Sequence, residues 1–77
     1  MDEATKKYFE DDENVKKEIM EARRAFAKGT TFDQYENLIK GLLIMSFYCS
    51  DKMTTLVQAT IDEAQARQFY TIGSATC

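Results

Sequence analysis

The chain of 77 residues has no His, no Pro and no Trp, only three Gly and two Cys. Each shortage excludes something. Without His there is no side chain that titrates unperturbed near neutral pH and no imidazole metal ligand, so His-based triads, His-zinc sites and His general acid–base chemistry are ruled out. Cys49 and Cys77 fit neither a CxxC pair nor a zinc spacing. Cys49 lies in an apolar run, and Cys77 is not placed four from the end as a prenylation box requires. Both read as reduced thiols of a cytoplasmic protein. Basic residues are also short: ten Lys+Arg face thirteen Asp+Glu, a formal charge of −3. That balance argues against a nucleic-acid partner held by overall positive charge.

No long apolar run is present either. The opening stretch, MDEATKKYFEDDEN, is charged and lacks the apolar segment of a secretory signal. The most apolar stretch, Leu38 to Cys49, includes Lys40 and falls short of the roughly 20 apolar residues of a membrane span. The expectation is a protein with no membrane association. Its 44% hydrophobic and 30% charged residues suit a folded globular chain. At this length only one domain fits, and a single core is marginal without help.

The lack of Pro and the scarcity of Gly favour helix throughout, and no window alternates as a half-buried strand does. Val15, Ile19, Ala22 and Phe26 recur on one helical face. Arg23, Arg24 and Lys28 then suit a helix C-terminus, and Gly29 suits the position just past it. Thr31 with Gln34 reads as a capping box opening the next helix. The pattern therefore predicts an all-α fold, a helical hairpin or three-helix bundle with helices over about 3–28 and 32–70. The acids Glu10, Asp11, Asp12 and Glu13 repel one another, so the first helix is expected to be frayed or kinked over 1–12. An alternative is a shorter helix capped by Asp12, preceded by a looser turn.

Leu42, Met45, Cys49, Met53, Leu56 and Thr60 continue one stripe across Ser50-Asp51, where either residue could cap a new helix. The unbroken stripe points to one helix over 32–70, about 58 Å long at about 1.5 Å per residue, or one bent near 50. Two helices with a turn at 50–51 remain open. Gly73 to Cys77 shows no periodicity, and a loose tail over 72–77 is expected. The whole chain, 1–77, reads as a single helical domain.

One chain is expected to carry more apolar surface than it can cover. Leu38 to Cys49 is apolar nearly all round, whereas a surface helix needs a stripe roughly 100° wide. Leaving several Leu, Ile or Phe exposed forgoes about 1.5–3 kcal/mol each. Leu38, Leu42, Met45, Phe47, Tyr48, Met53 and Leu56 are thus expected at an interface with a second copy, by default a homodimer. Adjacent aromatics agree: Tyr8-Phe9, Phe47-Tyr48 and Phe69-Tyr70 point about 100° apart in a helix and cannot share a narrow stripe. Gly41 inside this apolar helix costs about 1 kcal/mol against Ala, which close approach of another helix would explain.

Chemistry is sparse. The carboxylates read as solvated faces and not as a paired acid and base in a cleft. Glu10, Asp12, Asn14 and Glu21 mimic calcium-loop spacing, but the required Gly is Val15 and the first position is Glu, so no calcium site is expected. There is no GxxxxGK[ST], GxGxxG or GxSxG. The expectation is no enzyme, no cofactor and no metal.

Three binding roles remain. Residues 1–21 carry eight acids and four Lys, a net of −4. Glu10, Asp11, Asp12 and Glu13, with Phe69 and Tyr70, would face a basic surface on another protein, as an inhibitor or regulator does. Short acidic helical chains of this kind are frequent among bacterial regulators and proteins encoded by phages or other mobile elements. The second role follows from the Gly29 turn before Thr-Thr-Phe, which resembles the helix–Gly–turn–helix of many small bacterial regulators and antitoxins. Asp33, Gln34, Glu36, Asn37 and Lys40 make a poor phosphate-facing set for a recognition helix, however. The third is sequestration of a nucleotide-like ligand between protomers, with Thr54, Gln58, Gln65, Arg67 and Tyr70 as its polar lining.

Overall fold

In this computed structural model the backbone is described for residues 2–76 and the side chains for 2–67. Four helices follow one another: α1 (Glu3–Glu10), α2 (Asp12–Lys28), α3 (Phe32–Tyr48) and α4 (Asp51–Thr76). The chain is all-α, with no strand among the described residues.

Local chemistry sets most boundaries. Asp2 caps α1 by accepting from the Ala4 amide at 3.2 Å. Gly29 takes φ 98°, a left-handed value that a side chain would strain, and donates its amide to the Phe26 carbonyl at 3.2 Å. The capping box forms as expected. The Gln34 amide donates to Thr31 Oγ1 at 3.2 Å, and the Thr31 amide to Gln34 Oε1 at 3.0 Å. α2 and α3 therefore end and begin where the punctuation placed them.

The helix expected over 3–28 is instead two helices, broken at Asp11 (φ −88°, ψ 116°). Asp11, and not Asp12, caps α2, accepting from the Glu13 amide at 3.0 Å. Phase explains the break. Six residues separate Phe9 from Val15, so a straight helix would turn Phe9 about 120° from the buried stripe at about 100° per residue. With the extended residue at 11, Phe9 packs against the core while Glu10 and Asp11 stay exposed.

Of the arrangements left open for 32–70, the structure has two helices with a turn between them. α3 stops at Cys49, and Ser50 caps α4 by accepting the Met53 amide on Oγ at 3.3 Å. Ser50 Oγ also donates to Asp12 at 3.0 Å, fixing the turn to the start of α2. The reason is coverage. An uninterrupted stripe would run about 58 Å, whereas α2, with 17 residues, spans about 26 Å and could bury only half of it. Folding at 49–50 lets α4 cover α3, and the longest extent of the molecule is 45 Å. α4 continues to Thr76, past the boundary expected at 70. The tail expected at 72–77 lies outside the residues whose side chains are described.

Asp12 meets Ser50, and further along Arg23 meets Thr60 and Glu63, so α2 and α4 run in the same direction. α3 returns between them, and α1 lies against α2 and α3. The core is Val15, Ile19 and Ala22 from α2, Ile39, Leu42 and Met45 from α3, and Met53, Val57, Ile61 and Ala64 from α4. Thr60 is the one buried polar side chain named among them; its hydroxyl donates to the Leu56 carbonyl at 2.8 Å and accepts from Arg23 Nε at 3.4 Å. No buried polar side-chain atom among the described residues lacks a partner.

Candidate interaction surface

The capping box fixes the rotation of α3, and with it which side chains face outward. Tyr35, Leu38, Ile39, Leu42 and Met45 turn toward the core. On the opposite side lie Phe32, Glu36, Lys40, Leu43 and Phe47, which share one column at helical spacing, with Asn37, Gly41, Ile44 and Tyr48 beside them. Phe47 is 77% exposed, Phe32 58% and Leu43 42%. Phe32 also lies against Tyr35, ring centroids 6.4 Å apart, and Tyr35 meets Phe26 edge-on at 6.0 Å. The outer column is thus apolar at both ends, with one acid and one base between them.

The residues expected at a self-association interface divide sharply. Leu42, Met45 and Met53 are 4%, 1% and 4% exposed inside the core of a single chain. Leu38 and Leu56 are half-buried and pack against that core. Tyr48 is half-buried, and Phe47 is open. α4 takes up the apolar excess that had been assigned to a second copy. Periodicity could not show this, because a helix that folds back supplies the same cover as a partner. Phe32 and Leu43 were not singled out from sequence; both stand in the column of Phe47, and their register with it was the available signal.

Gly41 has no close neighbour: a Cβ built there would meet nothing within 4 Å. Within one chain no helix approaches it, contrary to the expectation of close approach. It opens instead onto a hollow of about 200 Å³ between α1, α2 and α3, floored by Ala22, Leu38, Leu42 and Met45 and flanked by Phe9. Leu38 and Asn37 also line a shallower hollow of about 500 Å³ beside the Gly29 turn.

The acidic run does not form a cluster with one task. Glu10 is exposed, Asp11 caps α2, Asp12 accepts from Ser50, and Glu13 lies 3.9 Å from Lys16 in an exposed ion pair. Phe69 and Tyr70 lie outside the described side chains. Tyr8, exposed, donates its hydroxyl to Glu18 at 3.0 Å. That hydrogen bond, with lesser help from desolvation and the charges of Glu18 and Glu21, holds its pKa above the ordinary 10.0.

The polar set on α4 is largely engaged locally. Thr54 Oγ1 donates to the Ser50 carbonyl at 3.0 Å and lies 3.5 Å from Cys49 Sγ. The Gln58 amide donates to Asp62 at 3.0 Å. Arg23 is held by Thr60 and by Glu63 at 3.5 Å. Tyr70 again falls outside the described side chains. Among the described residues no group of His, Cys, Asp or Glu is placed to hold a metal ion, and no helix is long and apolar enough to cross a membrane.

No protein-family model, curated protein or solved structure matches the chain.

Proposed function

We propose that this chain is a small non-enzymatic protein-interaction module, acting as a regulator or inhibitor of another protein, and that the outer face of α3 is where it associates, first with a second copy of itself. The observation that carries the reading is Phe47, a large apolar ring left 77% exposed beside Leu43 on a helix whose opposite side is already buried. With Phe32, the two rings leave roughly 250 Å² of aromatic surface uncovered on one column. The rings stand at opposite ends of the column, about 22 Å apart at about 1.5 Å per residue, and Phe47 with Leu43 forms an exposed apolar end rimmed by polar residues.

An antiparallel pairing of two α3 helices about a two-fold axis fits the column. Glu36 of each copy then lies toward Lys40 of the other. Such an interface needs about 800 Å² from each copy, of which the rings supply about a third. The assembly then presents its acidic N-terminal surface for a basic partner.

Sedimentation velocity at micromolar concentration tests the self-association. The expected result is a dimer that the double substitution Leu43→Ser/Phe47→Ser converts to monomer. A monomeric native chain, or a dimer indifferent to that substitution, overturns the reading.

A further inference from the structure

α1 is attached to the rest of the chain in an unusual way. None of its side chains is buried, and Phe9 alone among them packs against the core. Two hydrogen bonds add to this: the Tyr8 hydroxyl to Glu18, and the Asn14 amide to the Tyr8 carbonyl, each 3.0 Å. What α1 covers is apolar, the hollow floored by Ala22, Leu38, Leu42 and Met45. A single extended residue, Asp11, joins it to α2. The rest of the segment is helical on both sides of that residue.

We propose that α1 is an exchangeable arm: when Asp11 adopts helical angles, α1 and α2 fuse into one helix over 3–28, and Phe9 docks in the Leu38–Leu42–Met45 hollow of a second copy. Straightening turns Phe9 about 120° off its own core stripe and carries it outward, so it cannot fill its own hollow. A second copy offers the same hollow, with the same Glu18 acceptor for Tyr8. The Phe9 packing and the Tyr8–Glu18 hydrogen bond broken within one chain are remade between two, while the Asp11 cap and the Asn14 bond to the Tyr8 carbonyl give way to helical hydrogen bonds. Exchange of an element is for this reason a low-cost route to dimers, and short hinges promote it. Only the hinge distinguishes the two forms. Its capping bond from the Glu13 amide, at 3.0 Å, and the repulsion among Glu10, Asp11, Asp12 and Glu13 favour the bent form. Added helical hydrogen bonds across residue 11 favour the straight one.

This exchange is independent of the α3 face, and the test separates them. Asp11→Ala removes the cap and one of the four acids while restoring helix propensity. Asp11→Gly keeps an acceptable N-cap but disfavours continuous helix. Both are made in the full chain carrying Phe47→Ser, so that association through α3 does not contribute, and molar mass is followed by light scattering across a concentration series. Asp11→Ala is expected to tighten dimerisation roughly thirtyfold relative to Asp11, since both hinges of a dimer gain. Asp11→Gly is expected to weaken it. Adding Phe9→Ala to Asp11→Ala is expected to return the chain to monomer, with helical content retained by circular dichroism. Equal masses for the Ala and Gly variants, or a dimer that survives Phe9→Ala, would overturn the exchange. Neither result bears on the α3 face, which is read from the response to Phe47→Ser with Asp11 intact.

Discussion

Met45 and Phe47 stand two residues apart on α3, yet they are 1% and 77% exposed. Their truncations should therefore have opposite consequences. A 77-residue chain is stable by roughly 4–12 kcal/mol at the usual 0.05–0.15 kcal/mol per residue. Met45→Ala deletes a fully buried side chain between α2 and α4, which costs about 2–5 kcal/mol. At about 4–8 °C per kcal/mol for a chain of this size, its Tm should fall by about 8–40 °C. Phe47 buries only about a quarter of its surface within one chain, so Phe47→Ser should cost folding less than about 1 kcal/mol. Self-association should respond the other way. Burying a Phe side chain against a partner is worth about 1.5–3 kcal/mol. A symmetric dimer has two such rings, so Phe47→Ser should weaken it on the order of a thousandfold. Thermal and urea unfolding should be followed by circular dichroism at concentrations low enough to keep the protein monomeric, because association stabilises the native state by mass action. Sedimentation equilibrium then reads the association constant. A Tm for Phe47→Ser as low as that of Met45→Ala would refute the packing assigned to α3. An unchanged association constant would refute its outer face.

The two described glycines should also respond in opposite directions. Gly29→Ala places a side chain at φ 98° and should destabilise by about 1–2 kcal/mol. Gly41→Ala meets nothing within 4 Å and should raise the urea midpoint of the monomer by close to 1 kcal/mol of stability, with an unchanged slope, while weakening any association that brings a second helix against Gly41. A loss of monomer stability in Gly41→Ala would mean that the hollow beside it is closed. Tyr8 gives a pH dependence of definite sign. Its pKa is higher folded than unfolded because its hydroxyl donates to Glu18, so the stability from this bond is present below pH 10 and is lost as pH rises through the folded value. Urea midpoints of the native chain should fall more steeply on the alkaline side than those of Tyr8→Phe; parallel curves would show that the bond contributes nothing in solution.

Self-association and arm exchange draw on different parts of the molecule. The first uses apolar side chains left over after the core is complete; the second reuses side chains that already belong to it. Both could operate in one protein, with the α3 column holding two copies together while the Asp11 hinge sets which copy's α1 covers which hollow. A basic partner that neutralised the acids at 10–13 would then shift the hinge as well as bind.

The helical class, the turn at Gly29 and the capping box of α3 were legible because each depends on residues close in sequence: a left-handed glycine, a Thr and Gln three apart, an apolar residue every third or fourth position. The two breaks were legible only as open alternatives, a kink within 1–12 and a turn at 50–51. At Asp11 the phase of Phe9 against the Val15 stripe speaks for a break, but the core contact that Phe9 makes is tertiary. At Cys49–Ser50 the stripe continues because both helices face one core, so the pattern is the same for a straight helix and a folded one. Only the shortness of α2 against a 58 Å stripe decides between them. The same ambiguity affected the interface. Sequence counted the apolar surface of residues 38–49 correctly, but whether α4 or a second copy covers Leu42, Met45 and Met53 is a question of tertiary packing. The fold answers it for those three and leaves Phe47, Leu43 and Phe32 outside. The scarcity of His, Pro and Gly thus determined a helical chain without imidazole chemistry, and the return of α4 over α3 decided which of its apolar residues were left exposed.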